Sequence, residues 1–235
     1  MTDDRFDDLS VGERLAERDR THPEPAGRPE VPRPGNKYAW AVGILMVMVL
    51  AVVLFVQTIP NRGEGLTGPE PGSRLEAFAA PNALGDLEGA ANVCQRRPCP
   101  EQAGRVPACE VVSDEVVNLC ELRKRPLVLT FIFDRGADCL PQVDRTERVR
   151  GEVEGVRFAT LYFSRKDRDE LRELVARRGW RQPVALDEDG AVANLYGLGG
   201  CPITIFARRG GRVVETRIGN LTESQLRRSA RRLTT

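Results

Sequence analysis

Apolar and polar positions divide the chain into three regimes. Residues 1–37 hold nine acids, seven bases and five prolines with almost no bulky apolar residue; such a stretch cannot bury a core and reads as a disordered tail. From Tyr38 through Ile59 there is no charged residue, and the apolar character has no polar face to give it an amphipathic period. Beyond a Pro/Gly-rich tether at 60–74 (PNRGEGLTGPEPGSR), residues 75–235 have the length of one compact domain.

Inside that domain the pattern changes again. Residues 86–109, within a cysteine-containing insertion at about 86–115, show no sustained period and predict irregular structure. Pro126–Phe133 (PLVLTFIF) is a continuous apolar run, as expected of a strand buried on both faces. Asp138 is a candidate cap for a helix running to about Arg150, with Pro141 in its first turn. Val156–Phe163 predicts a second strand. Leu171, Leu174 and Val175 give helical spacing to Asp167–Arg178, which Gly179 ends. A short strand at Pro183–Leu186 and a turn at Asp187–Gly190 lead to a brief helix through Tyr196. Ile203–Ala207 and Val213–Ile218 predict a hairpin around Gly210–Gly211, and Thr222 opens a last helix with Gln225 in the capping-box position. The order is strand, helix, strand, helix, short strand, brief helix, strand–strand hairpin, helix.

The uncharged run changes the picture from a soluble chain to an anchored one. Twenty-two helical residues reach about 33 Å, the thickness of a hydrocarbon core, and Tyr38 and Trp40 stand where interfacial aromatics stand. A cleaved signal peptide fits less well, since 37 polar residues precede the run and Ile59–Pro60–Asn61–Arg62 offers no small-x-small cut. Arg18, Arg20, Arg28, Arg33 and Lys37 lie within 20 residues before the span, against Arg62 and Arg74 after it. That asymmetry predicts a cytoplasmic N-terminus, membrane lipid around residues 38–59, and an extracytoplasmic C-terminal domain at the plasma membrane. Arginine outnumbers lysine 32 to 3, a bias expected of a GC-rich bacterial genome. Net charge adds little: the tail stands at −2 and residues 61–235 at +3, which gives no reason to expect nucleic acid as a partner. The arginines at 227, 228, 231 and 232 read as a solvated helix face.

All six cysteines, Cys94, Cys99, Cys109, Cys120, Cys139 and Cys201, follow the span, as suits an oxidising compartment. Six cysteines allow fifteen complete pairings. Short separation favours structural disulfides Cys94–Cys99 and Cys109–Cys120, stapling a segment with too few apolar residues to order itself. The same four cysteines lack the paired spacing of a usual zinc site, so neither metal nor cofactor is expected.

The run Arg74–Pro81 (RLEAFAAP), Asn118–Phe133 (NLCELRKRPLVLTFIF), Gly200–Phe206 (GCPITIF) and Gly210–Asn220 (GGRVVETRIGN) resembles the thioredoxin superfamily, in its membrane-anchored TlpA/redoxin branch, over roughly residues 73–235. The resemblance implies an α/β, three-layer fold with a mixed central sheet, preceded here by one transmembrane helix. It also implies a redox C-x-x-C after the strand ending at Phe133 and a cis-proline before the hairpin. Pro202 falls at the proline position, with Cys201 before it. The C-x-x-C is incomplete: the chain reads Gly136–Ala137–Asp138–Cys139, so the first cysteine is absent. The peroxiredoxin motif is missing too, with Ile132 and Gly136 where it needs Pro and Thr. A Sco-type copper site would need a histidine, and the single one, His22, precedes the span.

On this resemblance the helix start bearing Cys139 faces the loop bearing Pro202, and Cys201 can replace the missing partner. The resulting expectation is a thiol-disulfide oxidoreductase or antioxidant acting through Cys139, Cys201 and Pro202 on an unidentified envelope protein or thiol substrate. The competing expectation is a redox-inert thioredoxin-like binding module whose cysteines form only structural disulfides; fold alone does not choose between them.

Overall fold

The computed structural model describes residues 10–21, 37–58, 66–134 and 138–234. His22, Arg62 and Gly136, on which several expectations turned, lie outside them. The chain forms two units, residues 1–58 and 59–235.

In the first unit, α1 (Val11–Thr21) lies within the stretch read as disordered. Its start is secured locally: Ser10 Oγ accepts from Glu13 N at 3.4 Å while Glu13 Oε2 accepts from Ser10 N at 2.9 Å, the reciprocal pattern of a capping box. Low apolar content excluded a core but not a capped helix, and Val11 and Leu15 are exposed on it. The helix α2 (Lys37–Thr58) coincides with the uncharged run. Among the described residues no helix is long and apolar enough to cross a membrane; the side chains at 52–58 lie outside that description.

The second unit is built on a five-stranded mixed sheet of order β5-β4-β3-β6-β7. Its strands are β3 (Leu127–Phe133), β4 (Arg157–Phe163), β5 (Val184–Leu186), β6 (Ile203–Ala207) and β7 (Val213–Ile218). A second, two-stranded sheet pairs β1 (Ala79–Pro81) with β2 (Val116–Asn118), elements too short to stand out in the apolar pattern. Parallel pairing joins β3 to β4 and β4 to β5, while β6 runs antiparallel to both β3 and β7.

Alternation along β3 assigns its side chains to two layers. Leu127, Leu129 and Phe131 meet Phe78, Leu119, Val192 and Tyr196 on one face. The last two belong to α6 (Ala191–Leu195) and its C-cap; Leu119 opens α3 (Leu119–Leu122). The opposite face turns Val128 toward Val149 of α4 (Leu140–Arg150) and Leu226 of α7 (Glu223–Arg231), and Ile132 toward Val143 of α4 and Leu171 of α5 (Arg168–Arg178). Helical cover on both faces is why β3 is apolar except at Thr130, whose buried Oγ1 lies 3.4 Å from Thr146 Oγ1 of α4. Asp167 caps α5 and Gly179 ends it at φ 67°, a left-handed position that favours glycine. Thr222 and Gln225 complete the capping box of α7.

Two boundaries differ from the sequence reading. Residues 66–74, assigned to the tether, are hydrogen-bonded onto the domain: Gly68 N to Gly197 O at 3.1 Å, Gly72 N to Val213 O at 2.8 Å and Val213 N to Ser73 O at 2.9 Å. Backbone pairing, which composition does not reveal, extends the domain toward the N-terminus. The start of α4 moves as well. Cys139, not Asp138, is its N-cap, without a side-chain cap bond. Cys139 O accepts from Gln142 N at 3.1 Å, and Pro141, which has no N–H to offer, falls within the first turn where none is needed.

Candidate functional site

The topology brings two distant segments to one end of the sheet. Because β6 is antiparallel to β3, the end of β3 lies beside the beginning of β6, with Phe131 opposite Ile203. The chain leaving β3 toward α4 and the chain entering β6 therefore meet. Cys139 sits on the first and Cys201 on the second; their Cα atoms are 5.9 Å apart and their sulfurs are joined in a disulfide across 62 residues, a separation normal for such a bond. The Cys201–Pro202 peptide is cis, and Gly219 N donates to Pro202 O at 2.8 Å, tying the loop to the end of β7.

The two sulfurs differ in environment. Cys139 is 1% exposed and packs among Ile132, Val143, Tyr162 and Trp180. Cys201 is partly exposed, its Sγ 4.0 Å from the carbonyl oxygen of Phe133. A cleft of about 350 Å³ begins at the same Phe133 and is lined also by Asp134, Phe163, Arg165 and Lys166.

Asp134, the first residue past β3, was not singled out by sequence. Its two carboxylate oxygens accept from Tyr162 Oη and Ser164 Oγ, and Ser164 Oγ accepts in turn from Lys166 N at 3.1 Å. Burial, followed by the neighbouring Asp134 carboxylate, raises the Tyr162 phenol above its ordinary pKa, so it remains a donor. Tyr162 looked like one more apolar strand residue; only pairing of Ile132 with Tyr162 across β3 and β4 places its ring beneath Cys139.

Helix α4 is held where it presents Cys139. Gln142 Oε1, one turn in and fully buried, accepts from Leu221 N at 2.8 Å. Further along, Asp144 accepts from Trp180 Nε1 at 2.7 Å and pairs with Arg178 at 2.7 Å. Glu147 Oε2 accepts from Gln182 N at 3.0 Å. The helix start therefore cannot swing freely away from the Pro202 loop.

The remaining four cysteines are joined elsewhere, Cys94 to Cys99 and Cys109 to Cys120, with Cα separations of 5.5 and 5.4 Å. Among the described residues no cluster of His, Cys, Asp and Glu is arranged to hold a metal ion.

No protein-family model and no curated protein matches the sequence. Solved structures do match. The thiol:disulfide interchange protein assigned as DsbE of Chlorobium tepidum is 17% identical, with 68% of this chain and 98% of that chain covered at a TM-score of 0.50. The fold is thioredoxin-like. A secreted thiol-disulfide isomerase from Corynebacterium glutamicum is 20% identical over 52% of this chain and 78% of its own, at a TM-score of 0.45. A secreted Mycobacterium tuberculosis disulfide oxidoreductase is 18% identical over 49% and 87%, at 0.44. At these identities the likeness concerns the fold, and chemistry has to be argued from the site. In this thioredoxin-like domain the disulfide at the end of the central strands joins the cap of α4 to the residue before the cis-proline.

Proposed function

We propose that the chain is a membrane-tethered, extracytoplasmic thiol-disulfide oxidoreductase or antioxidant whose working pair is Cys139 and Cys201. The observation that carries this reading is the placement of that disulfide: one sulfur buried at a helix start, the other partly exposed, beside a cleft at the end of the central strand.

The asymmetry assigns an order to the chemistry. A substrate thiolate attacks the accessible Cys201 sulfur, the Cys139–Cys201 bond breaks, and Cys139 leaves as a thiolate at the N-terminus of α4, where the helix dipole favours negative charge. The substrate's second thiolate then attacks the mixed disulfide and releases Cys201. The substrate loses two electrons and two protons and becomes a disulfide; Cys139 and Cys201 end as two thiols. Pro202 holds the Cys201 loop against the helix start, and the basic side chains Arg165 and Lys166 flank the approach.

Tethering rests on helix α2, whose sequence carries no charge from Tyr38 onward, with the N-terminus cytoplasmic by the excess of Lys and Arg before that run over the Lys and Arg after it. The substrate is an envelope protein or another thiol compound. One observation favours the alternative of an inert binding module: Cys139 is as deeply buried as a core residue, which suits a disulfide that only braces the fold.

A glutathione redox series with mass-spectrometric mapping of alkylated cysteines separates the two. The oxidoreductase reading expects Cys139–Cys201 to open at a less reducing poise than Cys94–Cys99, and expects Cys139→Ser and Cys201→Ser each to abolish disulfide-exchange activity. Unchanged labelling and exchange in both variants leaves the inert module.

A further inference from the structure

The second disulfide, Cys109–Cys120, has surroundings that a purely structural bond does not need. Cys109 is exposed and Cys120 partly so. Arg123 directs Nη2 at both sulfurs, 3.4 Å from Cys120 Sγ and 3.8 Å from Cys109 Sγ. Its Nη1 donates to Leu75 O at 2.9 Å, and its aliphatic stem packs on the Gly210–Gly211 turn. A Cβ on Gly211 would stand 3.0 Å from Arg123 Cδ, and the residue sits at φ +85°, so glycine leaves the room that sets the guanidinium in place.

This cation is half-buried, and among the described residues no carboxylate pairs with it. Burial lowers its pKa below the ordinary arginine range, Arg74 adding to the effect and Tyr196 and Glu76 opposing it. The acids next to the two cysteines are already matched: Glu110 pairs with Arg97 at 2.6 Å and Glu121 with Lys124 at 2.6 Å. A positive charge aimed at two sulfurs and joined directly to no carboxylate among the described residues is an environment that lowers a thiol pKa.

We propose that Cys109–Cys120 is a second exchange site, independent of Cys139–Cys201, in which Arg123 stabilises the thiolate of Cys120. A thiolate of a dithiol substrate attacks the exposed Cys109 sulfur; the Cys109–Cys120 bond breaks and the electron pair departs on Cys120, beside the guanidinium. The substrate's second thiolate then displaces Cys109. The dithiol is oxidised to a disulfide by loss of two electrons and two protons, and Cys109 and Cys120 are reduced to thiols. A leaving thiol of lower pKa leaves faster, and the nearer sulfur to Arg123 is the one that leaves.

The test uses the full-length protein carrying Cys139→Ser and Cys201→Ser, so its outcome does not depend on the first pair. With dithiothreitol as the probe dithiol, Cys109–Cys120 opens at least tenfold faster than Cys94–Cys99. In a glutathione series it reaches half-reduction at a tenfold lower ratio of squared glutathione to glutathione disulfide. Once reduced, Cys120 is alkylated with a pH midpoint below the ordinary thiol value of about 8.5. Arg123→Met moves that midpoint upward and slows alkylation at pH 7 about tenfold, one pKa unit being a tenfold change in thiolate; Arg123→Lys restores part of the rate. Opening no faster than Cys94–Cys99, or a Cys120 midpoint at or above about 8.5 in the protein with Arg123 intact, overturns the proposal even if Arg123→Met fails to fold.

Discussion

Cys139 and Cys201 share one disulfide but not one environment: the first is 1% exposed within the layer beneath β3, while the second is partly open beside Phe133. Since thiol–disulfide exchange proceeds by attack on an accessible sulfur, the two cysteines have different roles in any exchange, and the difference is measurable without knowledge of the substrate. After reduction, Cys201 is alkylated at least about tenfold faster than Cys139, as exposure governs thiol reactivity. With a substrate disulfide supplied as the electron acceptor, the free Cys201 thiolate of Cys139→Ser displaces one substrate thiolate and accumulates as a mixed disulfide, whereas Cys201→Ser accumulates little. Equal rates and equal trapping would remove the assigned order.

Asp187 makes stability depend on pH. It is fully buried and accepts from Val192 N at 3.1 Å and Ala193 N at 2.8 Å, holding the start of α6. Burial pushes its carboxyl from 3.8 up to about 6, against the pull of those two N–H groups. The folded state therefore binds more protons than the unfolded state between these values, and stability falls as pH rises from about 4 through about 6. The full span corresponds to about 3 kcal/mol. Urea unfolding at pH 4.5 and 7 measures it, and Asp187→Asn flattens the profile over that window. A variant with the same slope as the parent would assign the dependence elsewhere.

The last helix depends on its cap. Thr222 Oγ1 accepts from Gln225 N at 3.3 Å and Gln225 Oε1 accepts from Thr222 N at 2.8 Å, orienting a helix whose Leu226 is completely buried. Thr222→Ala is expected to lower stability by about 1 kcal/mol, read as an earlier urea midpoint with an unchanged slope. The Cys139–Cys201 disulfide should still form.

Topology is tested on intact cells. External protease should digest the region after Ile59 and leave residues 1–37 protected, the pattern of a cytoplasmic tail and an outward domain. Digestion of the tail with the domain spared would reverse the orientation.

Much of the domain was legible in the chain because its elements carry local signals. The apolar run of β3, the glycine after α5, the Gly210–Gly211 turn and the Thr222–Gln225 box each act within a few residues, and each appears where its signal lies. The boundaries that shifted involve longer-range partners. Residues 66–74 join the domain through backbone bonds to 197 and 213, and β1 and β2 need each other across 37 residues to be strands at all. The helix in the tail was hidden for the opposite reason: a capping box can secure a helix that buries nothing.

By itself, the sequence determined the uncharged span, the order of strands and helices from β3 onward, and the confinement of every cysteine to one side of that span, because charge, period and residue type are local properties. Tertiary structure decided which residues face one another. The antiparallel run of β6 against β3 sets Cys201 beside the chain that leads to Cys139, and the register of β3 with β4 sets Tyr162 within reach of Asp134. Arg123 meets Cys109 and Cys120 only because Leu75 and the Gly210–Gly211 turn, 48 residues before it and nearly 90 after, converge on its side chain. No local pattern encodes those meetings, since they follow from how the sheet pairs and how its two faces are covered.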